Sequence, residues 1–132
     1  MADITATLTL SSSTAFAHQP INISTNFTKD IAAPYTDLSR KLAPATGTIL
    51  TAAAGSPITY FFVKNPGVKE NGQDTQNIAH AIKVSDASGS ATIATLAPGE
   101  FLFVPMAAGE GVEVESTTST LMYAEYIYFS KA

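Results

Sequence analysis

The sequence predicts an all-β fold, an antiparallel β-sandwich or jelly-roll-like single domain over residues 1–132 with little or no helix. Three observations predict it. Apolar and polar residues alternate with period two in several stretches. No stretch sustains an apolar stripe at helical spacing. Turn-forming clusters recur at the intervals that separate short strands, which gives about eight to ten of them.

The elements follow in chain order. "ITATLTL" places Ile4, Ala6, Leu8 and Leu10 on one face and Thr5, Thr7 and Thr9 on the other, the pattern of a half-buried strand with one wet face. "INISTNF" repeats it, with Ile21, Ile23 and Phe27 opposed to Asn22, Ser24 and Asn26. The first 57 residues hold these N-terminal strands and then, over 31–45, an irregular crossover. Pro34 and Pro44 interrupt that stretch, and one short helical turn fits around Asp37–Leu42. "HAIKV" and "ATIATL" read as strands joined by the turn "SDASGS" at 85–90. In "APGE" Pro98 pre-sets φ and Gly99 accepts a positive φ, the chemistry of a type II turn. "FLFVPM" is the strand that leaves it. "NPG" at 65–67 offers the same chemistry and opens a polar loop, 65–77, long enough to project from one end of the body. "GVEVES" sends Val112 and Val114 inward and Glu113 and Glu115 outward.

Three segments are apolar at both parities: "ITYFFVKN" (58–65), "FLFVPM" (101–106) and "LMYAEYIYF" (121–129). In the last, Leu121, Tyr123, Ile127 and Phe129 share one face, and Met122, Ala124, Tyr126 and Tyr128 the other. A strand apolar on both faces needs a cover on both. One cover is the core; the other is either the chain's own irregular segment or a neighbouring subunit. Tyrosine joins a large apolar body to a hydroxyl that tolerates a wet rim, which favours the subunit. The candidate interface residues are therefore Tyr123, Tyr126, Tyr128, Phe101 and Phe103.

Composition narrows the function classes. The chain has no cysteine, hence no disulfide framework and no thiolate metal site, which suits assembly in a reducing cytoplasm. Its start lacks the basic and apolar regions of a signal peptide, and no apolar run approaches the length of a membrane-spanning helix. A formal charge of −4 with scattered Lys and Arg argues against nucleic acid as a partner. Charged residues make up only 14% of the chain, against about 25% in an average domain. Ser, Thr and Ala replace them, a profile suited to packing among copies.

Catalytic signals are weak. His18 and His80 lie far apart and do not form the clustered ligand set of a cupin-type metal site, so neither a metal nor another cofactor is expected. His80 shares parity with Ile78, Ile82 and Val84 and reads as a hydrogen-bonded histidine at the core edge. Glu113 and Glu115 alternate with apolar valines, which makes solvation a better account than a glycosidase pair. Glu125 interrupts an apolar strand and needs a partner such as Arg40, Lys41 or Lys83. Nucleophile-elbow, phosphate-loop and dinucleotide motifs are all missing. The sequons at 22–24 and 26–28 are chance matches in a Ser/Thr-rich chain. No enzymatic activity is expected.

The order of pieces in the C-terminal half carries a resemblance. An aromatic strand ending in Asn (Tyr60–Asn65) precedes a turn-strand "LAPGEFLFVP" (Leu96–Pro105), a short "VEV" strand (Val112–Val114) and a final "YAEYI" strand (Tyr123–Ile127). This order, over residues 58–129, resembles small β-sandwich virion proteins of tailed bacteriophages. The resemblance implies a structural component of the virion, most often a capsid decoration or cement protein. Such a protein stabilises the shell through contacts with the major capsid protein, other virion proteins and copies of itself, commonly as a trimer. It would be assembled in the host cytoplasm. Tail, baseplate and fibre proteins reuse similar sandwiches. A carbohydrate-binding or adhesin-like module, using loop 65–77 with Tyr35, Tyr60 or Tyr123, is the reading from a different class. Along with the two-faced strands, the Thr-alternating N-terminal strand is expected to pair along a neighbour's sheet edge.

Overall fold

The computed structural model describes residues 2–13, 21–35, 37–51, 59–87, 90–107 and 110–131. Among them there is no helix, and the strands are β1 (Ala2–Ser12), β2 (Ile21–Tyr35), β3 (Ser39–Ala43), β4 (Thr48–Thr51), β5 (Thr59–Lys64), β6 (Ile82–Asp86), β7 (Thr92–Leu96), β8 (Phe101–Pro105), β9 (Val112–Ser116) and β10 (Met122–Lys131). The larger sheet has the order β1-β2-β10-β5-β8, with β3 also paired to β10. The smaller sheet has the order β4-β9-β6-β7. Every strand pair is antiparallel.

Both sheets contribute to one buried cluster. Val112 and Val114 of β9 and Ile82 and Val84 of β6 meet Phe61 and Val63 of β5 and Met122 and Ala124 of β10. The parity read from the sequence therefore holds, because Met122, Ala124, Tyr126 and Tyr128 all turn towards this cluster. Glu113 and Glu115 are half-buried on the opposite face of β9. Glu115 pairs there with Lys83, its cross-strand neighbour on β6, at 3.1 Å.

The ends of the two sheets are tied by Asn65, which is wholly buried. Its Nδ2 donates to the carbonyls of His80 (3.0 Å) and Leu96 (2.9 Å), just before β6 and at the end of β7. Its Oδ1 accepts from the Gly67 amide at 3.0 Å. The "APGE" turn closes on the same residue. Glu100 N donates to Ala97 O at 2.9 Å across Gly99, whose φ is +88°, as a type II turn requires. Gly99 N then donates to Asn65 O, and Asn65 N to Glu100 O. Gly67 has a φ of +75°, and a Cβ there would stand 2.7 Å from the Thr75 carbonyl, so the position requires glycine twice over.

Two expectations need correction. Loop 65–77 folds back on the body over much of its length. Tyr123 N donates to Val68 O, Glu70 N donates to Leu121 O, and Val68 forms a bridge with Asp74. Its exposed part is 70–74 with 76–77. The stretch 31–45 is likewise not an irregular crossover with a helical turn. β2 continues to Tyr35 and β3 occupies Ser39–Ala43, so the two successively flank β10. The pairing of β10 with β2 skips Ala33 and Pro34, because Tyr35 aligns with Phe129 and Ala32 with Ser130. A bulge is where a strand tolerates the missing proline amide. β10 needs ladder partners along its whole length, and this tertiary demand overrides the proline punctuation.

Asn65→Ala strands two carbonyls and one amide in a buried site. It is expected to cost roughly 3 kcal/mol, a loss of about 10 °C in Tm, while the strand signal in circular dichroism persists below the transition. Urea titration checks it.

Candidate interaction surface

The face of the larger sheet turned away from the shared core is aromatic. Alternation along β5 puts Tyr60 and Phe62 there, cross-strand register adds Phe101 and Phe103 of β8, and β10 supplies Tyr123, Ile127 and Phe129. Phe62 and Phe101 lie 5.9 Å apart between centroids, and Tyr60 and Phe129 5.5 Å apart.

Much of this face is covered by the chain itself. β1 and β2 form a hairpin in continuous register from Ala2↔Ile31 to Ser12↔Ile21, held to the body through the C-terminal end of β2. From it Phe27 reaches the rings of Tyr60 (5.8 Å) and Phe103 (5.7 Å). Under this arm Phe129 is 2% exposed and Tyr60 9%. The expectation that a neighbouring subunit supplies the second cover is thus corrected at these rings. The physical reason is the alternation at 4–10 and 21–27, which gives the hairpin its own apolar underside to bury.

The cover is incomplete. A cleft of about 580 Å³ remains between arm and sheet, with Leu8, Thr25 and Phe27 above and Phe62, Phe101 and Phe103 below. Beyond it the underside of the arm runs into water: Leu8 is 43% exposed, Leu10 48% and Ile23 52%. Phe101 is 57% exposed at the cleft. These residues form the largest group of exposed large apolar side chains among the described residues, the kind of patch that marks a contact site.

The five residues singled out from the sequence do not share one surface. Phe101 and Phe103 line the cleft, the latter half-buried against Phe27. Tyr123 is half-buried on the same sheet face, with the Arg40 guanidinium 5.9 Å from its ring centroid. Tyr126 and Tyr128 lie on the other face against the shared core, where Tyr128 meets Phe61 at 5.9 Å. Sequence reasoning missed Leu8, Leu10 and Ile23 as contact candidates. Their alternation was visible, but the overhang that exposes them depends on where the hairpin lies.

Glu125, Glu115 and His80, weighed for chemistry, have structural partners. Glu125 pairs with Arg40, its register partner on β3, at 2.5 Å. The pair is partly exposed, so its contribution is small, about 0.5 kcal/mol. His80 Nδ1 and Thr75 Oγ1 are 3.0 Å apart, with the histidine half-buried, while Ile78 is 79% exposed and belongs to no strand. Among the described residues no group of three His, Cys, Asp or Glu converges on a metal-sized site. Of the tyrosines weighed for sugar binding, Tyr60 is buried and Tyr123 is half-covered; the side chain of Tyr35 and all of His18 lie outside the described residues.

Tyr128→Ala and Phe101→Ala separate the two faces. The first is expected to lower stability by about 3 kcal/mol through loss of core packing. The second is expected to leave stability within about 0.5 kcal/mol and to reduce binding of an apolar dye to the cleft. Paired thermal melts and dye titrations check both.

No family model matches the chain, and neither a curated protein nor a solved structure matches it.

Proposed function

We propose that the chain is a non-enzymatic structural component of a bacteriophage virion, a capsid decoration (cement) protein that stabilises the shell through subunit contacts. The observation that carries this reading is the exposed apolar strip of the arm and cleft: Leu8, Leu10, Ile23 and Phe101 are each more than 40% exposed. A lone chain gains nothing from leaving such side chains in water, whereas a building block uses them at every contact. Strand order supports the same reading. The sequences β2-β10-β5-β8 and β4-β9-β6-β7 follow the double Greek-key order of a jelly roll, an architecture shared by capsid, lectin and cupin domains. The motif order at 58–129, which resembles that of small β-sandwich virion proteins, favours the virion among these.

The mechanism is passive. A modest contact per copy is multiplied when each copy bridges several neighbours, so the particle gains stability without any chemical step. The partners are the major capsid protein or other virion proteins, together with further copies of the chain. Tail, baseplate or fibre remains the alternative station for the same mode of action.

Antibodies raised against the purified chain locate it. Immunogold on particles released by the source culture is expected to decorate the heads. Label confined to tails would transfer the role to the tail, and particles free of label would overturn the virion reading. A glycan array with saturable hits would replace it with the lectin-like alternative.

A further inference from the structure

The geometry points to β1 as a self-pairing edge: two copies of this chain join their larger sheets through antiparallel β1–β1 hydrogen bonding about a two-fold axis at Thr7. The inference deepens the building-block reading and rests on it for its purpose, although the pairing itself is a property of the purified chain.

The other sheet edges among the described residues are guarded. β8 has five residues and ends at Pro105. β7 has five residues and is paired through a register shift. β4 has four residues, with a shift between Ile49 and Thr51. β3 carries Arg40 and Lys41. Short length, bulges, proline and positive charge are the devices that keep edges from pairing. β1 has none of them. It runs for eleven residues in unbroken register, contains no proline, lysine or arginine, and carries one charge, Asp3. One side of its backbone faces β2; the other has no strand beside it among the described residues.

An unguarded edge of this length accepts another strand, and the side-chain pattern selects a copy of itself. Centred on Thr7, an antiparallel pair sets Thr5 opposite Thr9, Ala6 opposite Leu8 and Ile4 opposite Leu10. Hydroxyls meet hydroxyls on one face and apolar side chains meet on the other, both favourable cross-strand pairings. Asp3 falls opposite Ser11, so no like charges meet. On the apolar face the exposed Leu8 and Leu10 of one copy come against Ala6 and Ile4 of the other, which removes from water part of the strip that the arm leaves open. A two-fold edge closes at two copies, so the unit it sets is a dimer rather than the trimer that the resemblance implies.

Sedimentation of the full chain tests this. Wild type is expected at twice the 13.8 kDa chain mass. Thr7→Lys and Thr7→Glu, both at an exposed position, are each expected at the chain mass with unchanged circular dichroism, because like charges then meet on the axis. An equimolar mixture of the two is expected to recover the doubled mass. A second route uses the absence of cysteine: Thr7→Cys provides the single thiol and is expected to oxidise to a covalent dimer, while Gln76→Cys on the exposed loop is not. Wild type at the chain mass, Thr7→Lys at the wild-type mass, or equal cross-linking of the two thiols would overturn the pairing. A monomeric wild type that still labels virion heads would remove the edge contact and leave the virion reading standing.

Discussion

A buried side-chain amide ties one end of the two sheets together. Asn65 ends β5 in the larger sheet, and its side chain satisfies the carbonyls that precede β6 and end β7 in the smaller one. Its backbone is clasped by the turn that launches β8. Three segments distant in sequence, the end of β5, the approach to β6 and the β7–β8 turn, thus converge on one residue that cannot reach water. A buried amide left unpaired costs as much as several methylene groups, so the three segments have little freedom to slide once it is in place. The phenylalanine strands β5 and β8 meet at this clasp and derive their alignment from it, and with it the aromatic face they present.

That face governs the rest. Packing Phe61, Val63, Met122 and Ala124 against the smaller sheet forces their odd and even neighbours, Tyr60, Phe62, Ile127 and Phe129, to the opposite side. Hydrophobicity at both parities is then a debt the chain settles only in part, by laying the β1–β2 hairpin over Tyr60, Phe103 and Phe129. The hairpin is longer than the surface it covers. Its distal underside and the cleft beneath it stay open, and the same geometry that closes the second core leaves the apolar strip behind. Cover and exposed strip are two ends of one element.

Glu125, Glu115 and Lys83 are taken up by cross-strand ion pairs, and His80 by a threonine hydroxyl. The strip and the β1 edge leave apolar area and backbone hydrogen-bonding groups open among the described residues, on a negatively charged chain.

The sequence by itself determined the all-β class, the strands of the C-terminal half, the two-sidedness of β10 and the type II turn at Gly99, because each follows from periodicity or from the φ of one residue. It also required a partner for Glu125 and supplied Arg40 among the candidates. Only the tertiary structure decided that 31–35 and 39–43 form strands rather than an irregular crossover, since that depends on the flank of β10 they pair with and on a bulge that accommodates Pro34. It likewise decided that Tyr126 and Tyr128 face the core while Leu8, Leu10 and Ile23 face water. Alternation tells which side chains share a face, but whether anything lies against that face is a long-range fact, set by where a hairpin rests on a distant sheet.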